Sequence, residues 1–299
     1  MNIIQKLKYD TNWNIGFCEI DERGLLNKGN LYGVRWLRHP YKDRWFADPF
    51  ILSYDNTEII VFVEECPIEN PKGKICELVI DRKTMTLKER YVLLELDTHL
   101  SYPAIIRKKD KVYVYPENGA SGSLNMYEYN PQKHLLENPV CILKEPVADS
   151  TIYEEGTGNF FLVATRYPNT QEEVFLYKSE SIFGPYEATS QKPFEIERSC
   201  SRPAGNFFVS DGVMYRPAQN CASRYGAGIS IMKCKLDRSE IEEEKVIDLT
   251  PQSWKYGLGL HTLNFADGLC VIDGMGYLYP YTGYLIEKMR LLKRNISKR

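Results

Sequence analysis

Five side chains that could take part in polar chemistry recur along this chain at intervals of about fifty residues. They are Asp48, Tyr102, Asp149, Arg202 and His261. A carboxylate can act as a general base, and a second carboxylate nearby raises the pKa of one member of the pair. A guanidinium group can hold an anionic group of a ligand. The set predicts an acid–base site with a cationic neighbour, provided that the fold brings these distant residues together.

The segments that carry these residues share one pattern, in which a polar or aromatic residue precedes a short apolar run, a turn and a second apolar strand. Their starts lie 54, 47, 53 and 59 residues apart. A period near fifty residues with strand-only content is typical of propeller blades. We therefore predict an all-β fold, a five-bladed β-propeller in one domain over residues 1–299. The inner strands of its blades start near residues 48, 102, 149, 202 and 261.

In a propeller the innermost strands line the central channel, so residues at the same phase of each repeat converge on one mouth. The second strands contribute further candidates to this mouth. Strand alternation directs only one of Glu64 and Glu65 inward, and the spacing does not decide which; Glu65 is the one included among the candidates. The predicted catalytic residues are Asp48, Asp149 and Glu117, and the predicted substrate-binding residues are Trp45, Glu65, Tyr102, Arg166, Arg202, Arg216, Gln219 and His261.

Each of these residues also has a structural interpretation. Asp48 and Asp149 could cap turns, a frequent role of aspartate. Arg202 and Arg216 could form ion pairs with those carboxylates instead of a fork for an anionic substrate group. The eight cysteines include no CxxC pair, and we predict no metal ligands among the site residues.

Composition narrows the class of protein. A formal net charge of −2 predicts that no nucleic acid is bound. No apolar run approaches the roughly 20 residues of a membrane span, residues 1–10 lack the apolar core of a signal peptide, and the cysteines are scattered. These features predict a cytoplasmic protein.

The C-terminal segment differs from the rest of the chain. Residues 281–295 are predicted to form a short basic helix, and residues 281–299 carry six Lys or Arg residues and one Glu. One interpretation is a solvated helix packed across the propeller. The other is a peripheral contact with anionic lipids at the inner membrane face.

Several motifs together resemble a known family. They are Trp45–Phe50, His99–Pro103, Tyr113–Glu117, Ser201–Gly205, Tyr215–Asn220 and Gly259–Thr262. Across nearly the whole chain they resemble the N-terminal propeller domain of glucosamine inositolphosphorylceramide transferases. More distantly, the chain is similar to the five-bladed glycoside hydrolases of family 43.

The hydrolase resemblance implies an Asp base on the first blade, a modulating Asp two blades later and a Glu acid on the fourth. Asp48 and Asp149 match the first two positions, but Arg202 stands where the acid is expected. Glu117 is the candidate that replaces it. Some hydrolases of that family hold a structural calcium ion on the propeller axis, and by this resemblance His261 could ligate or bridge to such an ion; no cofactor is predicted from the residues themselves.

These features together predict a carbohydrate-active protein of glycan or glycolipid assembly that transfers a glycosyl group at the axial mouth. Its substrate would be a sugar, a nucleotide sugar or a lipid-linked phosphosugar, and the arginines would hold the phosphate. Two alternatives stay open. One is a glycoside hydrolase related to family 43, and the other is a non-catalytic sugar-binding or scaffold propeller.

Overall fold

The computed structural model describes residues 11–156, 158–236 and 240–296. Within these residues the chain forms five antiparallel sheets arranged as blades, which confirms the predicted five-bladed β-propeller. Two α-helices flank the blades, one near each end of the described chain.

The strands, in chain order, are β1 (Thr11–Cys18), β2 (Arg35–Trp36), β3 (Arg44–Tyr54), β4 (Glu58–Pro67), β5 (Lys74–Asp81), β6 (Thr86–Leu94), β7 (Ser101–Lys108), β8 (Lys111–Glu117), β9 (Leu124–Asn130), β10 (Leu135–Leu143), β11 (Val147–Glu155), β12 (Asn159–Arg166), β13 (Glu173–Ser179), β14 (Glu187–Ala188), β15 (Phe194–Glu195), β16 (Phe208–Ser210), β17 (Val213–Asn220), β18 (Gly228–Leu236), β19 (Ile241–Leu249), β20 (Leu263–Ala266) and β21 (Leu269–Tyr277). The helices are α1 (Glu22–Lys28) and α2 (Pro280–Ile296).

The first four blades follow the chain, with strands β3–β6, β7–β10, β11–β15 and β16–β19. The fifth blade combines both ends of the chain, because its strands lie in the order β20, β21, β1 and β2. Strand β1 pairs with β21 along its whole length, from Thr11 opposite Tyr277 to Cys18 opposite Cys270. This pairing joins the last blade to the start of the chain and closes the ring.

The hydrophobic core lies between adjacent blades. On β12, Phe160 and Leu162 pack toward the second blade, whereas Phe161 and Val163 pack toward the fourth. Because successive side chains of a strand point to opposite faces, a blade with two neighbours must be apolar on both faces. This explains why the strands read as continuous apolar runs, which sequence analysis recognises as buried strands.

The fourth and fifth inner strands start later than the repeat predicts. Arg202 and His261 precede β16 and β20, and only an isolated bridge between Pro203 and Ala218 extends the fourth inner strand toward the axis. Proline has no N–H to donate to a ladder. In these two blades, Arg202 and His261 therefore lie on the loops that lead into the inner strands.

Helix α2 spans one residue more at each end than the predicted 281–295. Among the described helices, none combines the length and the apolar character needed to cross a bilayer.

The junction between the fourth and fifth blades requires glycine at position 205. Gly205 has a φ of +146°, and a Cβ there would lie 1.9 Å from the carbonyl oxygen of Leu263. We expect Gly205→Ala to lower the free energy of unfolding by more than about 3 kcal/mol. The added Cβ would push the backbone at residue 205 away from the backbone at Leu263, and neither segment can move without disturbing its blade. Urea unfolding measures the loss.

Gly212→Ala is the matched control, because Gly212 has a φ of +76° and no atom lies within 4 Å of the position that a Cβ would take. Only the cost of the left-handed backbone remains there, about 1 kcal/mol. Equal losses in the two variants would contradict the tight junction at Gly205.

Candidate functional site

Three inner strands contain the same backbone irregularity. Asp48, Tyr102 and Asp149 have φ values of +50°, +47° and +47°, and each lies in a register shift between the first two strands of its blade. A β-bulge of this kind turns one residue out of the ladder and re-aims its side chain. Asp adopts the left-handed region more readily than most residues, whereas Tyr does so rarely. The bulges take these three residues out of the ladder and free their backbone N–H groups for other partners.

A carboxylate of the preceding blade accepts the backbone N–H that each bulge releases. Asp48 N donates to Asp273 Oδ2 at 3.2 Å, and Tyr102 N donates to Asp48 Oδ2 at 3.1 Å. Asp149 N donates to Glu117 Oε2 at 3.1 Å. The acidic side chains thus link successive blades around the axis. We call the region formed by Asp48, Glu117, Asp149, Arg202 and His261 the axial mouth.

Asp48 lies in the first half of the axial mouth. Its Oδ1 accepts a hydrogen bond from Thr262 Oγ1 at 2.7 Å, and it lies 3.8 Å from His261 Nδ1. The same Nδ1 lies 2.5 Å from Asp273 Oδ2. Burial lowers the pKa of His261, but the charges of Asp273 and Asp48 outweigh it and raise that pKa to about 9. The imidazole is therefore a cation at neutral pH, held between two carboxylates.

Arg202 dominates the second half of the axial mouth. Its Nε donates to Asp149 Oδ2, and its Nη2 donates to Glu117 Oε2 at 3.3 Å. Gln219 Nε2 also donates to Asp149 Oδ2, and Tyr167 OH donates to Glu117 Oε1 at 2.6 Å. One guanidinium group thus pairs with two buried carboxyl groups.

Burial sets the protonation of the acidic groups. It raises the pKa of Asp48 to about 6, against the opposing charge of His261. It raises the pKa of Asp149 to about 7, against the opposing charge of Arg202. A carboxylate with a pKa near neutrality can both accept and return a proton under physiological conditions.

The structure places Glu65, a predicted substrate-binding residue, outside the axial mouth. Glu65 is fully buried and pairs with Arg44 at 2.8 Å and with Arg90. Its neighbour Glu64 lies on the opposite face of β4, where burial raises its pKa to about 7 and the charge of Asp48 adds to the effect. His99 Nε2 lies 3.1 Å from Glu64 Oε1. Strand alternation requires either Glu64 or Glu65 to face inward, and Arg44 and Arg90 hold Glu65 on the other face.

Two predicted arginines also lie away from the cluster. Arg216 is fully buried, where it pairs with Glu243 at 2.6 Å and donates to backbone carbonyls of Cys200 and Ser201. Arg166 pairs with Glu145 at 3.0 Å and stacks over a phenylalanine of β13. The predicted fork of Arg202 with Arg216 is therefore not formed.

Two predicted aromatic residues take different places. Tyr102 is fully buried in the core between the second and third blades, where its OH lies 3.1 Å from Thr151 Oγ1. It acts on the mouth through its backbone N–H and offers no ring face to a ligand. Trp45 is half-buried, opposite Cys66 of β4 and three residues before Asp48.

Sequence reasoning missed several residues around His261. Asp273 lies on the second strand of the fifth blade, as Glu117 does in the second blade, so applying the repeat there would have found it. The rings of Trp13 and His261 stack at 3.9 Å, and Tyr225 meets His261 edge-on at 5.4 Å. These two aromatic residues lie in segments that the repeat does not align, so no periodic signal marks them.

Ligand atoms of Asp48, His261 and Asp273 lie within 4.8 Å of one another, close enough to surround a cation. Calcium requires six to eight oxygen ligands. This set supplies two carboxylates whose oxygens already accept hydrogen bonds, and an imidazole that pairs with one of them. The residues present fit a charge-paired imidazolium better than a calcium ion.

The sequence has relatives among characterised proteins. Residues 37–257 match the family described as glucosamine inositolphosphorylceramide transferase 1, N-terminal. The chain belongs to this family. It is 30% identical over 213 residues to the glucosamine inositolphosphorylceramide transferase 1 of Arabidopsis thaliana, covering 68% of this chain and 27% of that protein. The homologous protein of Oryza sativa subsp. japonica is 26% identical over 215 residues, covering 69% and 28%. The chain thus spans little more than a quarter of these plant members of the family.

Solved structures show the same fold. A thermostable family-43 glycoside hydrolase has a TM-score of 0.53 at 14% identity, covering 71% of this chain and 80% of that one. A family 117 glycoside hydrolase of Zobellia galactanivorans has a TM-score of 0.51 at 10% identity, covering 91% and 92%. At these identities the likeness concerns the propeller architecture that this member of the family shares with them.

The imidazolium of His261 makes stability depend on pH. The pKa of His261 is about 9 in the folded protein against an ordinary 6.5, so the folded chain keeps a proton that the unfolded chain releases. We expect the free energy of unfolding to fall as pH rises from 6.5 to 9, by on the order of 3 kcal/mol. The raised pKa of Asp149 acts in the same direction at the lower end of this range. Urea unfolding at both pH values measures the fall.

His261→Gln should remove most of this pH dependence. His39→Gln is the control, because burial lowers the pKa of His39 to about 4 and leaves it neutral in the folded protein throughout the range. If the free energy of unfolding falls by the same amount between pH 6.5 and pH 9 in His261→Gln and in the wild type, His261 is not a buried imidazolium.

Proposed function

We propose that the axial mouth binds a sugar and transfers a glycosyl group in glycan or glycolipid assembly, with Asp48 as the general base. Membership of a family named for glucosamine inositolphosphorylceramide transferases supports this proposal. Because the chain covers only about a quarter of the plant relatives, their activity does not pass to it through membership alone. The argument therefore rests on the chemistry of the mouth.

The state of Asp48 is the observation that carries the proposal. Among the described residues, Asp48 pairs with no Lys or Arg, whereas Arg202 holds both Asp149 and Glu117. Its pKa of about 6 leaves it mainly ionised at neutral pH but basic enough to accept a proton from a hydroxyl group as that hydroxyl attacks. Asp48 is thus the carboxylate of the mouth that is available for base catalysis.

Two polar side chains beside the acidic residues support sugar binding. The hydroxyl of Ser150, next to Asp149, and the amide oxygen of Asn118, next to Glu117, are buried without a hydrogen-bond partner in the described chain. Buried polar atoms are normally paired, and a site that lacks partners is suited to a ligand or water that supplies them. A sugar carries hydroxyl groups that both donate and accept.

The surroundings of Arg202 favour transfer over hydrolysis. A glycosidic oxygen needs a proton in order to leave, and the acid that would supply it is expected where Arg202 stands. Glu117, the candidate substitute, is engaged by Arg202 and Tyr167. A phosphate leaves as a stable anion without prior protonation, so a mouth with a base and no free acid suits a glycosyl phosphate or nucleotide-sugar donor.

A second candidate function, a non-catalytic sugar-binding propeller, draws support from the same contacts. Arg202 ties up two of the predicted catalytic carboxyls, and both oxygens of Asp48 already accept hydrogen bonds. In this case the mouth would recognise a glycan without changing it. The two functions differ in whether the charge of Asp48 matters.

Asp48→Asn separates the two functions. Asparagine tolerates the left-handed backbone and keeps the shape of the side chain, but it is not a base. We expect transfer to fall by about a hundredfold or more, while sugar binding stays within a few-fold of the wild type. Transfer is measured with UDP-glucosamine or UDP-N-acetylglucosamine and inositolphosphorylceramide, and binding is measured by thermal shift with the same nucleotide sugars.

Asp211→Asn is the matched control, because Asp211 has a φ of +49° and lies exposed, outside the mouth. It should behave as the wild type in both assays. Binding with no turnover in the wild type would favour the sugar-binding function. Full turnover in Asp48→Asn would show that Asp48 is not the base.

A further inference from the structure

One face of α2 presents an apolar stripe to solvent. Tyr281, Leu285 and Met289 are 81%, 59% and 48% exposed. They recur every four residues, so they lie on one face of the helix. A surface helix of a soluble domain normally turns such a stripe toward the core. Here the stripe faces solvent, which indicates a binding partner that covers these apolar side chains.

The opposite face of α2 is the one held by the propeller. The OH of Tyr284 donates to the carbonyl oxygen of Trp254 at 3.1 Å, and its ring meets Tyr277 edge-on at 5.2 Å. Gly283 is buried, and a Cβ there would lie 2.2 Å from the ring of Tyr277. The helix is therefore fixed in an orientation that leaves the stripe exposed.

Further aromatic residues extend the stripe onto the propeller. Trp254 is 60% exposed, and its ring lies 5.2 Å from that of Tyr281. Tyr279, just before the helix, is 48% exposed. Trp and Tyr concentrate at membrane–water interfaces, where their rings lie at the level of the lipid headgroups. Together these residues form an aromatic and apolar surface made from two separate parts of the chain.

Charge distinguishes a bilayer from other partners. Residues 281–299 carry six Lys or Arg residues and one Glu, although the whole chain has a net charge of −2. Among the described basic side chains of this segment, Lys288 is exposed next to Met289. Basic residues beside an apolar helical stripe are typical of helices that lie in the plane of an anionic membrane surface.

We infer that the surface formed by Trp254, Tyr279, Tyr281, Leu285 and Met289, which we call the aromatic face, docks on an anionic lipid bilayer. The apolar side chains enter the boundary between headgroups and acyl chains, and the positive charge of residues 281–299 attracts the anionic headgroups. The helix lies on the membrane and does not cross it.

The aromatic face is continuous with a cavity whose wall includes Asp273, a neighbour of the mouth residue His261. Pro251, Gln252 and Ser253 line a groove against Trp254 and Tyr281. They also line a cavity of about 420 Å³, which Trp36, Tyr256 and Asp273 bound on other sides. Asp273 is the carboxylate that pairs with His261. This step rests on the proposed glycosyl transfer. In that case the docked propeller turns this cavity toward the membrane and uses a lipid-linked acceptor.

Vesicle co-sedimentation tests the docking. The purified full chain is mixed with vesicles of phosphatidylcholine alone or of phosphatidylcholine with phosphatidylserine. We expect binding to the anionic vesicles, and weaker binding when salt rises from about 0.1 M to about 1 M, because the Debye length falls from about 10 Å to about 3 Å. Leu285→Asp should lower the partition coefficient about tenfold or more, because a charge replaces an apolar side chain that the bilayer would bury.

Val209→Asp is the matched control, since Val209 is 54% exposed on β16, away from α2. It should bind as the wild type. The fluorescence of Trp254 should shift to the blue on binding, and Trp254→Phe should remove the shift. Unchanged vesicle binding in Leu285→Asp would overturn the inference. So would a concentration-dependent dimer in analytical ultracentrifugation that Leu285→Asp abolishes, because a second copy would then cover the face.

The docking and the proposed function fail separately. Asp48→Asn should bind vesicles as the wild type does, because Asp48 is buried in the mouth and does not belong to the aromatic face. Loss of transfer in Leu285→Asp with vesicle-bound acceptor, together with normal binding of the nucleotide sugar, would link the two. Normal transfer by Leu285→Asp would refute the membrane route to the cavity while leaving the chemistry of Asp48 intact.

Discussion

The axial mouth depends on one repeated interaction, in which a bulged inner strand releases a backbone N–H and a carboxylate of the preceding blade accepts it. Asp273 accepts from Asp48, Asp48 from Tyr102, and Glu117 from Asp149. A buried N–H without a partner would cost about as much as a lost hydrogen bond, so each bulge needs an acceptor. The carboxylates thereby hold neighbouring blades in register at the axis, and they concentrate acidic groups there.

This arrangement creates an electrostatic problem that the same residues solve. Carboxyl groups buried around one axis lose hydration and, to a smaller extent, repel one another, which raises the pKa of Asp48 and of Asp149. Arg202 and the imidazolium of His261 provide the compensating charges. A buried charge without a partner costs several kcal/mol, so stability and chemistry depend on the same atoms. A substitution that removes either cation would therefore destabilise the fold, and this loss of stability would mask any effect on catalysis.

The blades and much of the mouth could be predicted from the sequence, because both depend on periodicity. A strand buried on both faces reads as an apolar run, and a repeat near fifty residues aligns Asp48 with Asp149, Arg202 and His261. Periodicity also limits the prediction. It requires that either Glu64 or Glu65 face inward, but Arg44 on the neighbouring strand determines that Glu65 faces away. Such partners are set by packing between strands, which no spacing along the chain encodes.

The hydrogen bonds at the axis distinguish a carboxylate that the fold requires from one that it does not. Asp273 accepts two backbone N–H groups on Oδ1, and on Oδ2 it accepts another N–H and the imidazolium of His261. These donors cannot reverse, so both oxygens must be acceptors. Asp48 accepts one backbone N–H from Tyr102 and one hydroxyl from Thr262. A hydroxyl can accept as well as donate, so an amide would keep both contacts at this position. The two hydrogen bonds of Asp48 thus need its shape but not its charge, and that charge, which also faces the imidazolium of His261, is what a general base requires.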